Sequence, residues 1–205
     1  MGLHIIVCIK SVVLRATGTK IVRTPELCEL NSFDRPALET ALCLKESHGG
    51  SVTALTMGPA DTGSAVLHEA MAMGVDRGVL LSDPALIGSD TLATSTAIGA
   101  AVAKLAPYDL VLFGTRTSDS DTGQVGPQTA ALLDLPLVTS AMSLEKIDSG
   151  LRVNRISDEF VETFETAMPA VLTIHPASVQ PRDVSLMGIQ RTFEKNSIEN
   201  KAKKR

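Results

Sequence analysis

The sequence predicts an α/β fold: a Rossmann-like parallel sheet with helices on both faces, plus a small antiparallel appendage. Two observations carry this prediction. Short apolar runs alternate with longer segments of helical periodicity, as they do when parallel strands are joined by crossover helices. The junctions between them also carry residues that start and stop helices. Strands are expected at residues 3–9, 52–57, 78–82, 110–113 and 171–175, and helices at 34–48, 62–73, 91–105 and 124–133.

Taken in order, the first apolar run is Leu3-His-Ile-Ile-Val-Cys-Ile9, of strand length. Residues 11–30 interrupt the alternation. Their β-prone pieces, Lys20-Ile-Val-Arg23 and Cys28-Glu-Leu30, suggest a hairpin inserted after the first strand. Asp34 can cap a helix starting at Arg35, Pro36 is tolerated in its first turn, and Gly49-Gly50 stops it. Ser89-Asp90 can cap the third helix, whose small residues (Ala97, Gly99, Ala100, Ala101, Ala103) predict close packing against the sheet. Pro127 confines the start of the fourth helix to about residues 121–126. Residues 137–166 read as two or three strands with turns at Asp148-Ser-Gly150 and Ser157-Asp158, hence the antiparallel appendage. A last helical segment is expected around Leu186, Ile189 and Phe193.

Composition narrows the function. A chain of 205 residues fits a single domain, here 1–205. Apolar residues make up 44% but aromatics only 3%, with no Trp and one Tyr (Tyr108), so the core is aliphatic. The net charge of −4 offers no nucleic-acid surface, and the basic tail Lys201-Ala-Lys-Lys-Arg205 reads as a solvated end. Cys8, Cys28 and Cys43 form no Cys-x-x-Cys pair, which leaves zinc and iron–sulfur clusters unsupported and suits a reducing compartment. The apolar N-terminal run is too short to span a membrane and has no charged leader, so a cytoplasmic location is expected.

Familiar catalytic signatures are missing. There is no Gly-x-x-x-x-Gly-Lys-Ser/Thr loop, no glycine fingerprint after the first strand and no Gly-x-Ser-x-Gly elbow. His4, His48, His68 and His175 show no ligand spacing, and His4 and His175 read as packing residues. No catalytic residue and no metal ligand is assigned.

The most informative stretch is Gly114-Thr-Arg-Thr-Ser-Asp-Ser-Asp-Thr-Gly-Gln-Val-Gly-Pro127. It leaves the end of a strand and enters a helix. Free N–H groups at a helix start, aided by the helix dipole, can hold an anion, and ligands of open parallel sheets bind at strand carboxyl ends. Two readings fit: the phosphate and ribose site of an adenine nucleotide, or an ordinary capped loop. Asp119 and Asp121 sharpen the choice, since two carboxylates repel a phosphate unless they point away from it.

Eight segments together resemble the β subunit of electron-transfer flavoproteins. They are Val7-Cys-Ile-Lys10, Asn31-Ser-Phe-Asp34 with Ala37-Leu-Glu39, Leu55-Thr-Met-Gly-Pro59, Glu69-Ala-Met-Ala-Met-Gly-Val-Asp-Arg77, Gly88-Ser-Asp-Thr-Leu-Ala-Thr94, Tyr108-Asp-Leu-Val-Leu-Phe-Gly114, Asp121-Thr-Gly-Gln-Val-Gly-Pro127, and Pro181-Arg182 with Ser185-Leu186. Each is weak alone; all eight in the family's order, over about residues 3–195, are specific. The resemblance favours the nucleotide reading of the loop.

The resemblance implies an α/β domain that binds an adenine nucleotide and forms a heterodimer with an FAD-carrying α subunit. The pair passes electrons from a dehydrogenase, such as an acyl-CoA dehydrogenase, to an acceptor, with no nucleic-acid role and no membrane insertion. The β-subunit nucleotide is AMP in many members and a second FAD in those that bifurcate electrons from NADH; the wording of 121–127 looks more like the latter. Carried over residue by residue, the pocket falls on Cys8, Asn31, Ser32, Phe33, Asp34, Met57, Gly114, Thr115, Arg116, Thr117, Asp119, Asp121, Thr122, Gly123, Gln124, Val125 and Gly126. Asn31 is expected to read a polar edge of the ligand. Leu186, within a partner-facing segment 182–205, falls on the family's contact to dehydrogenases. Ser11-Val-Val-Leu14, Ser32 and Thr115-Arg-Thr-Ser118 depart from the family's wording and leave FAD and AMP both open, while an end at Arg205 leads to the expectation of a smaller heterodimer interface or an atypical partner. The alternative is a stand-alone AMP- or ATP-binding module of similar fold with no redox role.

Overall fold

The strands sort into a parallel sheet because their apolar residues alternate between two separate cores. On β1 (Leu3–Ile9), Ile5, Val7 and Ile9 join one core, and Ile6 and Cys8 the other. The computed structural model describes residues 2–14, 24–158, 160–194 and 198–200. After β1 come β2 (Ser11–Val13), a short 3-10 turn at Pro25–Leu27, β3 (Cys28–Leu30) and α1 (Arg35–His48). These lead to β4 (Gly50–Met57), α2 (Ala60–Met73), β5 (Arg77–Leu81), a second 3-10 turn at Pro84–Leu86 and α3 (Thr91–Ala103). Then follow β6 (Leu110–Gly114), α4 (Val125–Leu132), β7 (Leu137–Ile147), β8 (Gly150–Ser157), β9 (Phe160–Thr166), β10 (Ala170–Ile174), α5 (Leu186–Glu194) and β11 (Ile198–Asn200).

Among the described residues nine strands form one sheet in the order β11-β5-β4-β1-β6-β10-β7-β8-β9. Every pairing from β11 to β7 is parallel; β7–β8 and β8–β9 are antiparallel. The fold class is the one the sequence predicts, with a refinement at the edge. The strands of 137–166 do not form a separate sheet: β7 pairs with β10 through Leu137, Val138 and Ala141 and with β8 through its second half, so one long strand carries the main sheet into the hairpin.

Helices α1 and α2 cover one face and α3 and α4 the other. The helix boundaries follow their signals. Gly49 ends α1 at φ 71, its N–H bonded to Lys45 O, and Asp90 caps α3 by accepting the N–H of Ala93 at 2.8 Å. Three expectations need correction. The antiparallel partner of Cys28–Leu30 is Ser11–Val13, in direct continuation of β1, while Lys20–Arg23 lies outside the described residues. Asp34 stands at the N-cap of α1 but makes no side-chain cap there, because its carboxylate is turned to the end of β1. The small residues of α3 do not all meet the sheet: Gly99 faces Leu132 and Leu133 beside α4, and Ala100 and Ala103 are exposed.

Candidate functional site

β1 lies between β4 and β6. The chain leaves β1 through α1 toward β4 on one side and reaches β6 on the other through α3, which packs on the opposite face. The carboxyl ends of β1 and β6 are therefore a topological switch point, where crossovers diverge and leave a crevice. Cys8 pairs in register with Phe113, so the loop after Gly114 opens at this crevice.

Three backbone segments meet at its floor. The N–H of Lys10 donates to Asp34 Oδ2 at 2.8 Å, and the N–H of Asn31 donates to Lys10 O at 2.9 Å. A Cβ built on Gly114 would overlap Asp34 Oδ1 and lie 2.5 Å from Phe33 O, so only glycine lets β6 end this close to the α1 entry. Asp34 is 4% exposed. Burial pushes its carboxyl up to about 7, against the opposing pull of the Lys10 N–H, the Asn31 amide, the Gly114 N–H and the Lys10 charge. Cys8, buried beside it, has its thiol raised well above the usual range, by burial first and by Asp34 second.

The loop after Gly114 is fastened by the same segments. Asn31, fully buried, donates from Nδ2 to Arg116 O at 2.9 Å and accepts the N–H of Ser118 at Oδ1, 3.2 Å. Its amide thus holds the loop. The Arg116 guanidinium lies 4.7 Å from the centroid of the Phe33 ring and pairs with Asp121 at 3.3 Å. Lys10 Nζ donates to Asp119 Oδ1 at 2.6 Å and to Ser120 Oγ at 3.3 Å. Thr117 and Ser120 share a hydroxyl hydrogen bond of 2.8 Å. Each loop carboxylate is thereby matched to a cation, which offsets part of the repulsion a bare Asp119–Asp121 pair would exert.

The loop then turns into α4. Asp121 and Gly123 take left-handed conformations, φ 51 and φ 63. Gln124 stands at the N-cap and makes no side-chain cap; its Oε1 accepts from Thr91 Oγ1 at 2.9 Å instead. The first-turn N–H groups of Val125 and Gly126 consequently carry no cap, and Pro127 has none to offer. A Cβ on Gly126 would come within 3.0 Å of Thr173 and 3.3 Å of Phe113, so α4 sits directly on β6 and β10. Gln128 Nε2 donates to Thr91 Oγ1 at 3.4 Å and Ser95 Oγ donates to Gln128 Oε1 at 3.2 Å, tying the start of α4 to that of α3.

Of the other residues assigned from sequence, Thr115 is half-buried beside Gly114, Ser32 is exposed and Thr122 is exposed. Met57 is half-buried at the end of β4 against the α3-side core, followed by Gly58, whose Cβ position faces open space. Leu186 lies apart from the crevice, 86% exposed at the start of α5. Two clefts run along α3, of ≈ 80 Å³ and ≈ 250 Å³, and none of the assigned residues lines them. The structure also brings in Lys10, Thr91 and Gln128. Lys10 had a signal in sequence, as a cation directly after the central strand facing a loop with two acids; Thr91 and Gln128 had none. Among the described residues no group of three or more His, Cys, Asp or Glu could hold a metal.

The fold and this loop set define an α/β domain with a crevice at the switch point of its parallel sheet. The sequence pattern of the electron transfer flavoprotein domain matches residues 20–204. The electron transfer flavoprotein subunit beta of Clostridium acetobutylicum is 38% identical over 200 residues, covering 94% of this chain and 76% of that protein. Protein FixA of Azorhizobium caulinodans is 40% identical over 195 residues (88% and 68%), and the acryloyl-CoA reductase electron transfer subunit gamma of Anaerotignum propionicum 37% over 204 residues (94% and 75%). The chain belongs to the electron-transfer flavoprotein β subunit family.

Proposed function

We propose that this chain holds an adenine nucleotide, FAD or AMP, in the crevice between β1 and β6 and pairs with an FAD-carrying α subunit to pass electrons from a dehydrogenase to an acceptor. One observation supports the nucleotide reading above the rest: the loop presents uncapped N–H groups at the start of α4 while its carboxylates Asp119 and Asp121 are paired with Lys10 and Arg116. The residues fit the group. Val125 and Gly126 donate N–H groups to a phosphate, Gly123 lets the backbone approach it, and the open space at Gly58 beside Met57 receives the flat base. Asn31, Asp34 and Gly114 serve indirectly by fixing the loop before the ligand arrives, which lowers the ordering cost of binding. A flavin in this crevice would supply redox chemistry, whereas AMP would supply structure alone; the chain contributes no acid, base or nucleophile in either case.

Relatives named as electron transfer subunits of CoA reductases, in Anaerotignum propionicum and in the caffeyl-CoA reductase-Etf complex of Acetobacterium woodii, support a partner that acts on CoA thioesters. Together with the wording of Asp121–Pro127 they favour FAD and NADH-dependent bifurcation over AMP. In this reading Leu186 faces the dehydrogenase and the complex is cytoplasmic; among the described residues no helix is long and apolar enough to cross a membrane.

The test is co-expression with an α subunit, followed by flavin absorbance and a count of FAD and AMP per heterodimer. Two FAD support bifurcation, and one FAD with one AMP supports plain carriage. A chain that binds AMP and never pairs with a flavoprotein would establish the stand-alone module instead. Asp121→Ala combined with Gln124→Ala should lower nucleotide occupancy, and unchanged occupancy would remove the loop from the site.

A further inference from the structure

The segment between β10 and α5 is clamped to α1 by one side chain. Arg182 donates from Nε to Glu39 Oε2 and from an Nη to Glu39 Oε1, both at 2.8 Å, and its other Nη reaches Glu46 Oε1 at 2.6 Å. Its backbone N–H adds a bond to Glu39 Oε2 at 3.0 Å, and the Cys43 thiol donates to Glu39 Oε1 at 3.3 Å. Glu39 is buried, yet these donors hold its carboxyl below the ordinary range against the upward push of burial. Three residues further on, at Ser185, the chain is fixed again. Ser185 Oγ accepts the N–H of Gly188 at 2.9 Å, and a Cβ on Gly188 would overlap the carbonyl oxygen of Ala72, so α5 rests directly on α2.

Between the two fixed points stand Leu186 and Met187, 86% and 67% exposed. An apolar pair held this far into water is expected to swing or to collapse onto nearby apolar surface unless its backbone is restrained on both sides. We infer that Arg182 is a positioning residue: its fork across Glu39 and Glu46, with Gly188 seated on Ala72, sets the direction in which Leu186 and Met187 project and so sets affinity for the redox partner. This rests on the reading that Leu186 faces a dehydrogenase. A planar guanidinium spans two carboxylates; a lysine ammonium, a point charge, satisfies one.

The experiment uses the heterodimer and an acyl-CoA dehydrogenase reduced by its acyl-CoA substrate, one whose electrons the wild-type heterodimer is first shown to accept. KM and kcat for the heterodimer are measured with amide exchange over 183–194. Leu186→Ala should raise KM about tenfold, the factor that roughly 1.4 kcal/mol of lost contact represents. Arg182→Met should raise KM to a similar degree, leave kcat and flavin content unchanged, and speed exchange at 185–190 while α1 stays protected. Arg182→Lys should fall between, and Arg182→Met with Leu186→Ala should be no worse than the weaker-binding single variant. An effect of Leu186→Ala with none from Arg182→Met overturns the positioning role and leaves the docking reading standing. No effect from Leu186→Ala overturns the docking reading, and the role of Arg182 with it. If Arg182→Met does not fold with its partner, Glu46→Gln, which leaves Glu39 paired, should still raise KM about threefold; an unchanged KM there overturns the inference.

Discussion

The backbone N–H of Lys10 donates to the carboxylate of Asp34 at 2.8 Å, which ties the last turn of the central strand to the entry of α1. Asp34, which sequence alone makes a helix cap, is instead the post around which β1, α1 and β6 are assembled, and the crevice loop inherits its position from it.

Glycine at 114 is required by that post. Gly114→Ala would drive a Cβ into Asp34 Oδ1, on a buried side chain pinned by the Lys10 N–H, and into the Phe33 carbonyl, which is backbone. A loss of about 1–3 kcal/mol is expected in urea unfolding, as for other overpacked core positions. Unaltered stability would show that β6 and the α1 entry are not in register as described.

Asp34 also predicts a pH dependence. Its carboxyl is raised from 3.8 to about 7, so the folded chain holds a proton that the unfolded chain has released between those values. Stability from this group is fully present below the unfolded value and falls as pH rises through about 7. Relative to Asp34→Asn, the natural chain should lose about 2–3 kcal/mol between pH 5 and pH 8, since each tenfold difference in proton affinity between the folded and unfolded chains is worth about 1.4 kcal/mol. Parallel stability profiles for the two chains would contradict it.

Asn31→Ala removes the bonds to Arg116 O and from the Ser118 N–H, leaving part-buried backbone groups unpaired beside the cavity of a lost core amide. A destabilisation of about 1–3 kcal/mol is expected, with faster amide exchange confined to 115–121 and weaker nucleotide retention. Exchange that rises uniformly across the chain would assign Asn31 to general packing.

Lys10→Met removes the ammonium that pairs with Asp119 at 2.6 Å beside the crevice. Nucleotide affinity should fall about tenfold, roughly 1.4 kcal/mol, and Lys10→Met with Asp119→Asn should recover most of it. An equal loss in the single and double variants would mean that Lys10 acts on the ligand directly and not by masking Asp119.

Much of this architecture was legible in the chain. Runs such as Ile5-Ile-Val7 and Leu110-Val-Leu112 are apolar on both faces, which only a doubly covered parallel strand requires, and Asp90 and Gly49 mark helix ends with local chemistry that needs no tertiary context. The crevice loop stood out for the same reason, as small and polar residues between a strand and a helix. What remained hidden depended on distant partners. Ser11–Val13 is too short to announce itself as the mate of Cys28–Leu30, and Ile198–Asn200 becomes a strand only because the edge of β5 is there to receive it. The side chains of Asn31, Asp34 and Lys10 could be named but not aimed, since their partners lie between 24 and 109 residues away along the chain.

The central claim, that the turn into α4 grips an adenylate, is tested most directly by amide exchange on the nucleotide-stripped heterodimer before and after addition of AMP. Protection concentrated at 123–126, with a smaller effect at 114–121, is the expected result. Protection that appears only elsewhere, or none at saturating AMP, would contradict the account.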